Sequence, residues 1–86
     1  ISNSNIVGRL RLDSAIGTVT ITNTAMADFH VDGGSVNVNG TNADISKTTS
    51  GEAFRATSGH TGTISFDAAS SVTATSGTGF RFDNAD

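Results

Sequence analysis

A four-residue pattern recurs along the chain: apolar, basic, apolar, then a small polar residue. It reads Leu10-Arg11-Leu12-Asp13, Phe29-His30-Val31-Asp32, Phe54-Arg55-Ala56-Thr57 and Phe80-Arg81-Phe82-Asp83. The leading apolar residues are 19, 25 and 26 positions apart, and glycine stands three residues ahead of two copies, at Gly51 and Gly77. An internal period near 25 is the interval of one coil of a solenoid. Such a repeat constrains the fold more than local propensity does, because each copy must bury the same face against its neighbours.

Between the copies the chain reads as short strands separated by Gly, Asn, Asp and Ser. Gly17-Thr18-Val19-Thr20-Ile21-Thr22 alternates β-branched residues with period two and is the strongest strand signal. Ser35-Val36-Asn37-Val38-Asn39, Thr63-Ile64-Ser65-Phe66 and Val72-Thr73-Ala74-Thr75 follow the same rule. The segment from Thr24 to Asp28 is expected to be a compressed coil corner, which suits the 19-residue interval. No stretch of ten residues carries the 3.6-residue apolar spacing of a helix.

A meander of antiparallel hairpins also uses short, evenly spaced strands, but it has no reason to keep chemistry constant at one period. In a parallel coil, residues one period apart stack about 4.8 Å from each other, and like residues then form columns. Leu10, Phe29, Phe54 and Phe80 are expected to make an inward ladder. Val19, Val36 and Ile64 are expected to make a second column, and Ile21, Val38 and Phe66 a third. The fold expected is all-β, a parallel β-helix of about three to four coils of three short strands. Residues 1–86 form a single β-solenoid segment in this reading.

Burying each inward Val, Ile, Leu or Phe stabilises by roughly 1.5–3 kcal/mol, against about 1–2 kcal/mol of backbone entropy per ordered residue. A short stack with two open ends needs caps or neighbours. The sequence shows no capping helix, so the chain is expected to stack end to end with other copies or to continue in a longer polypeptide. The start at Ile1, without methionine, reads as a processed product or an excerpt.

Composition narrows the partners. The chain of 86 residues carries a net charge of -3 and only 15% charged residues, so nothing in its electrostatics calls for nucleic acid or an anionic membrane. No apolar run is long enough for a membrane span. There is no cysteine, which removes disulfides and thiolate metal sites. No cofactor is implied.

The basic members of the repeat, Arg11, His30, Arg55 and Arg81, are the most suggestive constellation. Lying between inward residues of a strand, each is expected to point outward. Stacked like charges repel by on the order of 1 kcal/mol per pair in water. Asp13, Asp32 and Asp83, two residues on, can offset this. A solvated, self-compensating face is therefore the expectation, and a ligand-contact groove for acidic polysaccharide the sharper alternative. The Asp column itself reads as turn caps, broken by Thr57. His60 is expected to be exposed in its glycine-flanked loop, and two histidines on different faces make no metal site. No serine sits in a nucleophile elbow. No catalytic, cofactor-binding or metal-ligating residue is assigned.

Gly62-Thr63-Ile64-Ser65-Phe66 and Gly77-Thr78-Gly79-Phe80-Arg81-Phe82-Asp83-Asn84-Ala85 resemble phrases from large bacterial surface and secreted proteins. Those proteins are built of pectin-lyase-like right-handed β-helices and include adhesin and autotransporter passenger regions. The resemblance implies a right-handed coil and an extracellular, cell-surface scaffold or adhesive fibre. Its partners would be further copies or adjacent repeats, with glycans or a host surface as ligands. The motifs encode coil geometry, so no catalytic residue transfers with them. A fragment of a polysaccharide lyase or hydrolase on this fold is the alternative function. An ice-binding solenoid is a lesser one, resting on Thr18 and Thr20 stacked over Ser35 and Asn37, then Thr63 and Ser65.

Overall fold

The computed structural model describes residues 1–83. Asn84, Ala85 and Asp86, which end the last repeat phrase, lie outside the described residues. Every regular element described is a strand: β1 (Asn5–Asp13), β2 (Thr18–Asp32), β3 (Asn37–Lys47), β4 (Glu52–Thr57), β5 (Ile64–Phe66), β6 (Ser71–Ala74) and β7 (Thr78–Phe82). All the pairings are parallel and join residues one coil apart. The chain is a parallel β-solenoid of about three turns.

Three walls surround the core. The first stacks the second halves of β1 and β2 with β4 and then β7. It holds the repeat in register, as Leu10↔Phe29↔Phe54↔Phe80 and Arg11↔His30↔Arg55↔Arg81. The second stacks the starts of β2 and β3 with β5. The third stacks the start of β1, the middle of β2, the end of β3, and β6.

Only the last turn divides into three separate strands; β2 runs through all three walls unbroken. Thr24–Asp28 is therefore strand and not the compressed corner expected. Nineteen residues make the bare coil, and the interval widens from 19 at Met26↔Ile45 to 25 at Phe29↔Phe54. The extra residues leave the wall between β3 and β4, around Thr48–Gly51.

Corner chemistry explains the bends. Asn3, Asn23 and Asn42 turn from the second wall to the third with φ of 52, 49 and 52°, a left-handed conformation that asparagine tolerates better than most residues. Their side-chain amides form a ladder, Asn23 Nδ2 donating to Asn3 Oδ1 at 3.2 Å and Asn42 Nδ2 to Asn23 Oδ1 at 3.1 Å. Asp67 continues the column by accepting the Asn42 backbone N–H at 3.0 Å.

Two of the expected columns are offset by two residues. Val19 stacks on Val38 and Ile64, and Ile21 on Gly40 and Phe66, whereas Val36 lies beneath Gly62. Thr20 accordingly stacks on Asn39 and Ser65, not on Asn37. A slip of two keeps every side chain on its face, so alternation cannot detect it. The corner asparagines set the count instead.

Phe29, Phe54, Ile21, Ile45 and Val31 are fully buried. The ladder rings meet edge to face rather than flat, Phe29 and Phe54 at 5.6 Å and 74°, as the ring quadrupole favours. Phe66 enters from the second wall, 6.4 Å from Phe29 and 5.8 Å from Phe54. It fits because its column contains Gly40, where a Cβ would overlap the Phe66 ring.

Candidate functional site: the ion ladder of the first wall

Strand alternation places Arg9, Arg11 and Asp13 of β1, Asp28, His30 and Asp32 of β2, Arg55 and Thr57 of β4, and Arg81 of β7 on the outer side of the first wall. The expected column Arg11–His30–Arg55–Arg81 is thus in register. It is self-compensating, but its middle is not solvated. His30 is 1% exposed, Asp28 3% and Asp32 5%, so the expectation of a solvated face needs correction at the central coil, although these side chains do lie on the outer side. Long side chains from the coils above and below cover these shorter ones.

Two carboxylates organise the face. Asp32 accepts from Arg11 Nε at 2.9 Å on one side and from Arg55 Nε and Nη2, both at 3.1 Å, on the other. Thr57 Oγ1 donates to it as well. Thr57 therefore serves the Asp column as a donor instead of breaking it. Asp28 accepts from Arg9 Nε at 3.0 Å and from Lys47 Nζ at 2.9 Å. At the outer coil Arg81 donates to Glu52 at 2.9 Å and to Asp83 at 3.3 Å. Arg11 and Arg55 bond diagonally to Asp32, and Arg81 to Glu52, while Arg9 and Lys47 face Asp28 directly from the adjacent coils, so that acids stand between the stacked cations.

Burial alone would raise the Asp32 carboxyl, but the bonds from Arg55, Thr57 and Arg11 outweigh it and hold the group well below the usual carboxylate range. Asp28 behaves likewise: burial pushes it up, and the bonds from Lys47 and Arg9 bring it down on balance. Burial lowers His30, helped by the nearby Arg55 and Arg9 charges. A neutral imidazole thus sits where a third guanidinium would be most costly. Its Nε2 faces the Glu52 carbonyl at 3.4 Å, and its Nδ1 meets no partner among the described residues.

Asp28, Arg9 and Lys47 were not singled out from sequence, and Thr57 was named only as a break in the Asp column. The signal for the first three was available: Arg9 and Lys47 each lie 19 residues from Asp28, the interval that separates Leu10 from Phe29. His60 also departs from expectation. It is 0% exposed, tucked under its loop, with Nε2 donating to the Val36 carbonyl at 2.9 Å.

Chemically, this face suits cohesion better than proton transfer. A carboxylate saturated by three donor side chains and held ionised is a poor acid and a poor base. Among the described residues no group of three or more acidic or histidine side chains is gathered as metal ligands would be. The arginines that would grip an anionic ligand are already engaged by Asp28, Asp32 and Glu52.

Fold and face together define a parallel β-solenoid whose coils are tied externally by ion pairs and internally by an aromatic ladder. The chain matches no family model, no curated protein and no solved structure.

Proposed function

We propose that the chain is a structural or adhesive segment of an extracellular bacterial surface scaffold, extended by end-to-end stacking with neighbouring copies or repeats. The observation that carries this reading is that the same columns run through every coil and remain apolar at both ends. Leu10 and Leu12 are only partly buried on the first coil, and Phe80 and Phe82 are 53% and 60% exposed on the last. The outer side of the second wall adds a neutral hydrogen-bonding surface of Thr18, Thr20, Asn37, Asn39, Thr63 and Ser65, suited to contact with glycans or another surface.

Sedimentation of the 86-residue chain over a wide concentration range tests the reading. The expected result is growth in mass with concentration; a stable monomer throughout would overturn it. A turnover assay on acidic and neutral glycans, with and without calcium, tests the carbohydrate-active alternative, and no cleavage is expected.

A further inference from the structure

At the C-terminal end of the stack, an open cleft of about 500 Å³ lies between β5 and β7, lined by Phe54, Ile64, Phe66, Phe80 and Phe82. Among the described residues no coil lies beyond it. Phe80 and Phe82 stack nearly parallel at 6.4 Å and 8°, and Phe80 also leans on Phe54 at 5.7 Å. The row is therefore ordered by the coil beneath and leaves its other side free. At the opposite end, β1 has one strand neighbour among the described residues, β2, and its other edge pairs with none of them.

We propose that this end row is the docking surface for β1 of a second copy of the chain, seated head to tail in the register that the coils already use. The inference rests on the stacking reading above and deepens it by naming the partner, the polarity and the register. Three columns carry it. Continuing the first wall by one coil places Leu10 of the second copy over Phe80 and Leu12 over Phe82, as Leu10 lies on Phe29 and Leu12 on Val31 within one chain. Continuing the third wall places Ile6 of the second copy over Val72, extending the column Ile6↔Met26↔Ile45↔Val72.

The same register stacks Arg11 of the second copy on Arg81 but also sets it diagonal to a carboxylate that can compensate the pair. Asp83 occupies the Asp32 position of the last coil, because Phe82 pairs with Ala56 and Val31 with Ala56. Arg11 of the second copy then stands to Asp83 as Arg55 stands to Asp32, the pair made by two bonds of 3.1 Å. The Asp83 side chain is exposed and, among the described residues, is held by one ion pair, with Arg81. The two mating surfaces differ, so the interface is heterologous. Unless the rotation closes, such an interface propagates as a filament, not a closed dimer. The backbone ladder extends across the joint by β-augmentation.

The chain lacks cysteine, so introduced pairs report the register directly. Asn5 lies in the column Asn5↔Ala25↔Asp44↔Ser71, which puts Asn5 of a second copy opposite Ser71. Opposed residues on adjacent strands about 4.8 Å apart suit a disulfide. Both sites are exposed and outside the ion ladder. Oxidised Asn5→Cys/Ser71→Cys is expected to give a ladder of dimers, trimers and longer species. The off-register pair Asn5→Cys/Thr73→Cys and each single variant are expected to give none. In sedimentation, Asp83→Arg, which would face Arg11 with like charge, is expected to raise the concentration for half-association about tenfold. Association in which the single variants or the off-register pair cross-link as well as Asn5→Cys/Ser71→Cys would overturn the head-to-tail register while leaving stacking intact. No association at any concentration would remove the stacking reading itself.

Discussion

Asp32 is tied to the coils on both sides of its own, by Arg11 from one and by Arg55 and Thr57 from the other. Removing its charge leaves two guanidinium groups without their acceptor, although both can turn toward water. Asp32→Asn is therefore expected to lower the unfolding free energy by about 2–3 kcal/mol at pH 7, measured by urea denaturation. The sign of the pH dependence follows from the directions of the shifts. Asp28 and Asp32 ionise more readily in the folded chain, so their stabilisation is complete above the ordinary value near 3.8 and is lost as the pH falls toward the folded values. His30 is lowered from 6.5, so the unfolded chain takes up that proton first and stability declines as the pH drops below about 6.5. The expected profile of Tm against pH descends in two stages, the lower of which is shallower in Asp32→Asn. An unchanged lower limb in that variant would show that the ladder contributes little.

At the scale of elements, Gly40 lets Phe66 of β5 fold over β3 and reach Phe29 and Phe54. Gly40→Ala crowds the ring out of that cluster, and overpacking of this kind costs about 1–3 kcal/mol. The expected signature is a double-mutant cycle in which the cost shrinks when Phe66 is replaced by Leu. A cost that persists undiminished in the Phe66→Leu background would mean that Gly40 is needed for its backbone instead. The repeat made the first wall readable in sequence, because Leu or Phe followed by Arg or His marks each coil. It could not number the second wall, because Thr, Val and Asn alternate there with a period of two and a two-residue slip changes nothing locally.

Across the whole molecule, β2 lies between β1 on one side and β3 and β4 on the other, while β5, β6 and β7 each have one strand neighbour. In a stack with nearest-neighbour coupling, stability is greatest at the centre and falls toward uncovered coils. Native-state hydrogen exchange is expected to be slowest for the amides of Phe29–Val31 and fastest in β7. Equal protection in β2 and β7 at low concentration would contradict that gradient. Slowing in β7 and β1 at high concentration is the counterpart expected from stacking.

The sequence by itself determined the all-β class, the parallel coil, the inward aromatic ladder and the alignment of the basic column. Each of these follows from a repeat whose chemistry recurs at one period and whose alternation assigns the faces. Tertiary structure decided the length of the bare coil, the register of the second wall, and the burial of His30, Asp32 and His60. Those depend on where corners and loops insert residues, and on which long side chain of a neighbouring coil closes over a shorter one. Such contacts join residues 19 or more positions apart, and no local pattern records them.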